Sequence, residues 1–200
     1  MKRLAALISL AAAACSGQES APPVPQQSAE AEAAPAPAPT ESGAPAFTSR
    51  YSALKDCRLV ESKEDEDWSV SKCPGQGGYD LQLDYGDARE DLRIMHGTKP
   101  SRALGLPYLA GGGFNSLGDT VEWRGTGDGA AFAPTALIVR NHSNRDPERS
   151  DKQTALLEVI DLAQACVVAQ VKPGPGQNEQ ARAEADKAVR TCLPRVGGAE

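Results

Sequence analysis

The chain has 200 residues, with 27 Asp+Glu against 21 Lys+Arg, two His, five Cys and a formal net charge of −6. A length of this order predicts one domain or two. The acidic balance argues against a nucleic-acid binder, which needs a basic face, and no apolar run reaches the roughly 18 residues of a membrane-spanning helix.

Lys2 and Arg3 form a positive start, followed by an apolar stretch from Leu4 to Ala14 broken only by Ser9. Its length suits a signal-peptide core and is too short for a stable span. It ends in Ala12-Ala13-Ala14-Cys15, which resembles the lipobox of bacterial lipoproteins. That resemblance implies a diacylglyceryl group on the Cys15 thiol and cleavage before it. Ala12 stands where the family usually carries Leu, so ordinary signal cleavage near Ala12-Ala13-Ala14 is the alternative. Cysteine parity favours lipidation: Cys57, Cys73, Cys166 and Cys192 make an even set for an exported protein, and Cys15 is left over. Ser16 lacks the acidic side chain that retains such lipoproteins at the inner membrane, which points to the periplasmic face of the outer membrane.

From Ser16 to about Phe47 the composition changes. Seven of the 15 prolines lie between Pro22 and Pro45, and no Lys or Arg occurs between Arg3 and Arg50. Such a segment cannot bury enough apolar surface to offset chain entropy, so a disordered tether with polyproline bias is expected. The expected division is a signal peptide at 1–14, a lipid-anchored tether at 15–47, one β-rich globular domain at 48–194 and a flexible tail at 195–200.

Within the domain most periodicity is two. Tyr79, Leu81, Leu83 and Tyr85 alternate with Asp80, Gln82 and Asp84, the pattern of a half-buried strand. Leu92 and Ile94 continue it after a turn read at Gly86-Asp87. Val121 and Trp123 alternate with Thr120, Glu122 and Arg124, and Gly125 to Gly129 reads as a turn or loop. Ala136 to Arg140 reads as a central strand, as does Ala155 to Leu162, where a helix is the alternative. Cys166 to Val171 reads as another strand, stopped by Pro173-Gly174-Pro175-Gly176. Asn178 to Cys192 has helical spacing, with Asn178 as a cap and Ala181, Ala185, Ala188, Val189 and Cys192 on one face. The predicted fold is mainly β (α+β), an antiparallel β-sheet or sandwich with a disulfide-stapled C-terminal helix. Of the three pairings open to four cysteines, Cys57–Cys73 and Cys166–Cys192 staple neighbouring elements. Both require an oxidising compartment.

Several motifs come close to catalytic patterns. Gly113 to Thr120 nearly spells a phosphate loop, but Asp119 stands where the lysine belongs, so no nucleotide is expected. Ser116 sits in a near-match to the nucleophile elbow, with Asp128 and His142 following, yet a Gly-rich turn with Phe114 dipping into the core is the plainer reading. Ser52 to Lys55 and Ser69 to Lys72 fit S-x-x-K without the companion motifs. His96 and His142 are the only histidines, and the oxygen-rich stretch Asn144, Asp146, Glu148 and Asp151 lacks the glycine of a calcium loop. No metal or other cofactor is therefore expected. Glu122 and Arg140 are expected to pair across strands. Glu64-Asp65-Glu66-Asp67 reads as a solvated turn that could meet a basic partner.

Cys57, the acidic run, Cys73-Pro74-Gly75, Gly78-Tyr79, Phe114-Asn115-Ser116-Leu117-Gly118, Glu122-Trp123-Arg124 and Ala136 to Arg140 together resemble uncharacterised exported proteins of alphaproteobacteria. The likeness covers most of the domain and implies no activity. The functional expectation is a non-enzymatic envelope lipoprotein that binds a protein or glycan, a lysozyme inhibitor being one specific version. Its candidate partner-binding residues are Trp123, Arg124, Glu64, Asp65, Glu66 and Asp67, although Trp123, like Trp68, reads more readily as core than as a ligand platform. The competing readings are a serine-type hydrolase using Ser116 and His142 and a purely structural envelope component.

Overall fold

Alternating side chains build the first sheet-forming hairpin. In the computed structural model, which describes residues 46–144 and 153–194, β4 (Tyr79–Gly86) and β5 (Arg89–His96) pair antiparallel. Leu81, Leu92 and Ile94 are buried on one face, while Gln82, Asp84, Asp91 and Arg93 stand on the other. The turn lies one residue beyond the expected Gly86-Asp87. Gly86 is still in the ladder opposite Arg89, and the two loop residues are Asp87 (φ 51°) and Ala88 (φ 53°). Positive φ at both central positions is the type I′ geometry that matches the twist of paired strands.

β2 (Arg58–Lys63) and β3 (Trp68–Cys73) form a second hairpin, its tip a 3-10 turn over Glu64–Glu66 that ends at Asp67 in the left-handed region. With β6 (Lys99–Pro100) these strands make one antiparallel sheet in the order β2-β3-β4-β5-β6. The second sheet has the order β1-β7-β8-β9-β10. Its strands are β1 (Phe47–Ala53), β7 (Phe114–Thr126), β8 (Ala133–Asn144), β9 (Thr154–Asp161) and β10 (Cys166–Val171). Ala136 to Arg140 is thus central, and Ala155 to Leu162 is strand rather than helix. Phe114 to Gly118 belongs to β7 and is not a Gly-rich turn. Asn115 and Leu117 are buried there, and Phe114 lies under the Arg89 guanidinium, 5.4 Å from its ring centroid, instead of in the core.

The two sheets face each other across one apolar core. Cys73, Leu81, Leu92 and Ile94 come from one sheet, and Leu117, Val121, Trp123, Leu137, Val139, Ile160 and Val167 from the other. Burial of this kind is the main favourable term for folding. The opposite face of the second sheet is covered by α2 (Gln177–Ala185), whose Ala181 and Ala185 pack on Ile138, Val159 and Val171. Alanine has no side chain beyond Cβ, so the helix lies close on the strands.

The helix is shorter than its apolar spacing suggests. Gly176 in the left-handed conformation flanks its start, and Asn178 does not cap it. Beyond Ala185 the chain turns, Arg190 Nη1 donating to Ala185 O at 2.5 Å, and Val189 is 83% exposed. This break lets Leu193 N donate to Val167 O at 2.8 Å and brings Cys192 to Cys166. The disulfides are Cys57–Cys73 and Cys166–Cys192, so the second staples the segment after α2 to β10. The expected lipidation at Cys15, the tether up to residue 45 and the tail from Arg195 on lie outside the described residues. So do Asp146, Glu148 and Asp151 of the oxygen-rich stretch. Phe47, expected to end the tether, is instead the first residue of β1, paired with Thr126.

Candidate functional site

The outer face of the β2–β6 sheet carries a row set by the pleat. Trp68 stands opposite Gly86, Val70 opposite Asp84, Gln82 opposite Arg93, and Asp84 opposite Asp91. Gly86 has no side chain, so the Trp68 indole leans across it. The segment after β6 then folds back along the free edge of β5, Ser101 N donating to Ile94 O (2.8 Å) and Leu104 N to Leu92 O (2.9 Å). It continues into α1 (Leu106–Leu109), a single helical turn. Leu104 and Leu106 are buried in the core, while Ala103, Pro107 and Tyr108 rise as a lip beside the sheet face. Sheet face and lip together enclose a groove of about 470 Å³. Its aromatic surfaces are Trp68, Tyr85 and Tyr108, and its charged groups are Asp84, Asp87, Asp91, Arg89 and Arg93.

The charges in the groove are mutually satisfied. Arg93 Nε donates to Asp84 Oδ2 at 2.5 Å, and Gln82 Nε2 donates to Asp84 Oδ1 at 2.6 Å. Arg89 pairs with Asp87 and also donates to Gly113 O. Asp91 turns towards α1 and accepts from the N–H groups of Gly105 (2.9 Å) and Leu106 (3.2 Å). Burial raises the Asp91 carboxyl above the ordinary carboxylate range, against these backbone donors, which pull it down.

A turn this short cannot satisfy its own termini, and side chains from the second sheet do so at the other end. Asn141 Nδ2 donates to Leu106 O (3.0 Å), Gln170 Nε2 to Leu109 O (3.1 Å) and Ser143 Oγ to Ala110 O (2.8 Å). Asn141 and Gln170 belong to a polar rung with one residue on each of four adjacent strands: the buried Asn115 on β7, Asn141 on β8 and Glu158 on β9, and the half-buried Gln170 on β10. Asn115 Nδ2 donates to Asn141 Oδ1 (3.0 Å), while Asn141 Nδ2 and Gln170 Nε2 both donate to Glu158 Oε1 (3.2 and 3.0 Å). Asn115 also bridges to the first sheet, accepting from Glu90 N and donating to Glu90 O. Glu158 is fully buried, and its Oε2 has no hydrogen-bond partner among the described residues. Burial pushes its carboxyl up to about 7, against the Gln170 and Asn141 amides, which pull it down. The groove's lip is therefore clamped at both ends before any ligand arrives.

The sequence-predicted residues fall differently. Trp123 is 0% exposed, donating its indole N–H to Ser52 Oγ at 2.9 Å. Arg124 is 8% exposed, bound to Ser49 and Asp186. Neither is available to a partner, because both face covered sides of the second sheet. Glu64, Asp65, Glu66 and Asp67 are exposed, with Glu66 paired to Lys63 at 3.2 Å. Asp67 adjoins the groove, accepting from the Tyr85 hydroxyl at 3.4 Å. Glu122 pairs with Arg182 of α2 (2.7 Å) and not with Arg140, which donates to Gln177 Oε1 (3.0 Å). The register sets Glu122 opposite Ile138 and Arg140 opposite Leu157.

Ser116 and His142 are direct cross-strand partners. Ser116 lies within a strand, not on an elbow, and Asp128 follows the far end of β7, on the order of 30 Å along the strand. The structure brings two of the three residues together and leaves the third remote. Among the described residues no group of three or more His, Cys, Asp or Glu side chains is placed to hold a metal ion. The groove and the rung were missed in the sequence because each joins residues from separated strands. The one local signal is Glu158, an acid at the middle of the apolar run Ala155 to Leu162, with three apolar residues before it and two after it. No protein-family profile matches the chain, and no match is found among curated proteins or solved structures.

Proposed function

We propose that this protein is a lipid-anchored, non-enzymatic binding module of the bacterial envelope, held off the periplasmic face of the outer membrane by its tether. The observation that carries the reading is the groove beside α1, with aromatic surfaces on a rigid sheet and a lip clamped by Asp91, Asn141, Gln170 and Ser143. Preorganisation of this kind lowers the entropic cost of binding. The two disulfides fit an oxidising compartment, and the leftover Cys15 fits an acylated anchor. Asp67 and its acidic neighbours at one rim extend the surface a partner would meet.

The test is chemical crosslinking of the full chain in intact envelopes, comparing the parent with a Trp68→Ala/Arg93→Ala double variant. A stoichiometric envelope component captured by the parent and lost from the variant supports the reading. Capture unaffected by the variant, or no capture at all, overturns it.

A further inference from the structure

The groove's chemistry selects a class of ligand. Its two arginines are each in an ion pair with a neighbouring aspartate, and its third carboxylate is turned into α1. A ligand bearing formal charge would have to break one of these pairs and leave its partner uncompensated. The backbone groups beneath the groove are already committed to the β3–β4 and β4–β5 ladders, so an extended peptide finds no strand edge there to hydrogen-bond. What the groove does offer is planar groups in fixed orientation. The Arg93 guanidinium has five N–H donors, of which Asp84 and Ser101 O take two. The Asp84 carboxylate keeps lone pairs beyond those used by Gln82 and Arg93. Beside them lies the half-buried Trp68 indole, over which the Lys63 ammonium, itself paired with Glu66, stands 6.0 Å from the ring centroid, and across the groove stands Tyr108, 46% exposed.

Aromatic faces next to paired planar donors and acceptors match a molecule with an apolar C–H face and a rim of hydroxyls that both donate and accept. We infer that the groove binds an uncharged saccharide, one ring stacked on Trp68 with its hydroxyls hydrogen-bonded by Arg93 and Asp84. This inference rests on the groove being the binding site.

The chain has two tryptophans. Trp123 is wholly buried, so a ligand-induced change in intrinsic fluorescence reports on Trp68. The probes are the tetrasaccharides of β-1,4-linked N-acetylglucosamine, β-1,4-linked glucose and α-1,4-linked glucose, with tetragalacturonate as the anionic control. They are titrated by calorimetry into the full chain with both disulfides intact, parent and variants alike, because Trp68→Ala removes the fluorescent reporter; fluorescence of the parent places the ligand beside Trp68. The expected result is saturable binding of at least one neutral tetrasaccharide with a Kd below about 1 mM, weakened about tenfold or more by Trp68→Ala and also weakened by Tyr108→Ala. Tyr51→Ala, on the other sheet, leaves it unchanged. The inference is overturned if no neutral probe binds, if tetragalacturonate binds at least as tightly, or if Trp68→Ala and Tyr108→Ala both retain parental affinity. Failure of every neutral probe alongside groove-dependent capture of an envelope component removes the saccharide and leaves the binding module standing.

Discussion

Glu158 and Asn141 meet inside the protein, the Asn141 Nδ2 donating to Glu158 Oε1 at 3.2 Å with both residues 0% exposed. The carboxyl has amide partners on one oxygen and none among the described residues on the other, so burial favours its protonated form. With its pKa raised from 4.5 to about 7, the folded state holds a proton that the unfolded state has released. This contribution to stability is fully present below about pH 4.5 and is lost as pH rises through about 7. The total loss is roughly 3 kcal/mol. Glu158→Gln should remove this part of the pH dependence and make the protein more stable than its parent at pH 8. Denaturant unfolding at pH 5, 6.5 and 8 checks it; parallel stability curves for the two proteins would refute the buried-proton account.

Asp91 holds the N-terminal end of α1 through the Gly105 and Leu106 N–H groups. Asp91→Ala should cost about 1 kcal/mol, the usual worth of a helix cap. Hydrogen exchange at Gly105 and Leu106 should speed up while exchange in β8 stays protected. Unchanged exchange at these two amides would mean that the lip is held by its C-terminal partners alone.

Arg124 and Asp186 lie 62 residues apart and form two parallel hydrogen bonds, 3.0 and 2.5 Å, that tie the end of α2 to β7. The side chains are 10% and 25% exposed, so removing one leaves a largely desolvated charge. Asp186→Ala should destabilise by about 1–3 kcal/mol, and an Arg124→Met/Asp186→Ala double variant should lose less than Asp186→Ala and Arg124→Met lose when their separate effects are added. Thermal unfolding of the four proteins gives the coupling directly; strict additivity would assign the pair no role.

Ala88 occupies a left-handed position at φ 53° in the two-residue turn, a conformation that costs a residue with a Cβ about 1–2 kcal/mol. Glycine avoids that cost and loses part of the gain to its greater freedom in the unfolded chain. Ala88→Gly should therefore stabilise by about 0.5–1 kcal/mol. A lower unfolding midpoint for Ala88→Gly would contradict the type I′ assignment.

The strands were legible where one face is apolar and the other polar, because alternation is a local consequence of the pleat. Tyr79 to Tyr85, Leu92 to Ile94 and Val121 to Trp123 are strands in place for this reason. The helix end was misread because Ala188, Val189 and Cys192 continue the spacing while the Cys166 disulfide and the Leu193–Val167 hydrogen bond pull the chain away. Phe114 to Gly118 reads as a turn because glycines flank it and Asn115, an asparagine, does not signal an interior, yet Asn115 and Leu117 are buried in β7. Trp123 reads as core and is core, so its place among the candidate contacts falls with it, and the Arg124 guanidinium belongs to an ion pair at the end of α2; Trp68, with the same core reading, lines the groove instead.

By itself the sequence determined a mainly β domain, its period-two strands and, through cysteine parity, two staples in the folded part. These follow from neighbouring residues and from counting. The polar rung, the clamp on α1 and the groove it borders were decided only by the tertiary structure. The spacing of Asn115, Asn141, Glu158 and Gln170 along the chain does not bring their strands into register; β7, β8, β9 and β10 must pair before these side chains can meet beneath one helical turn.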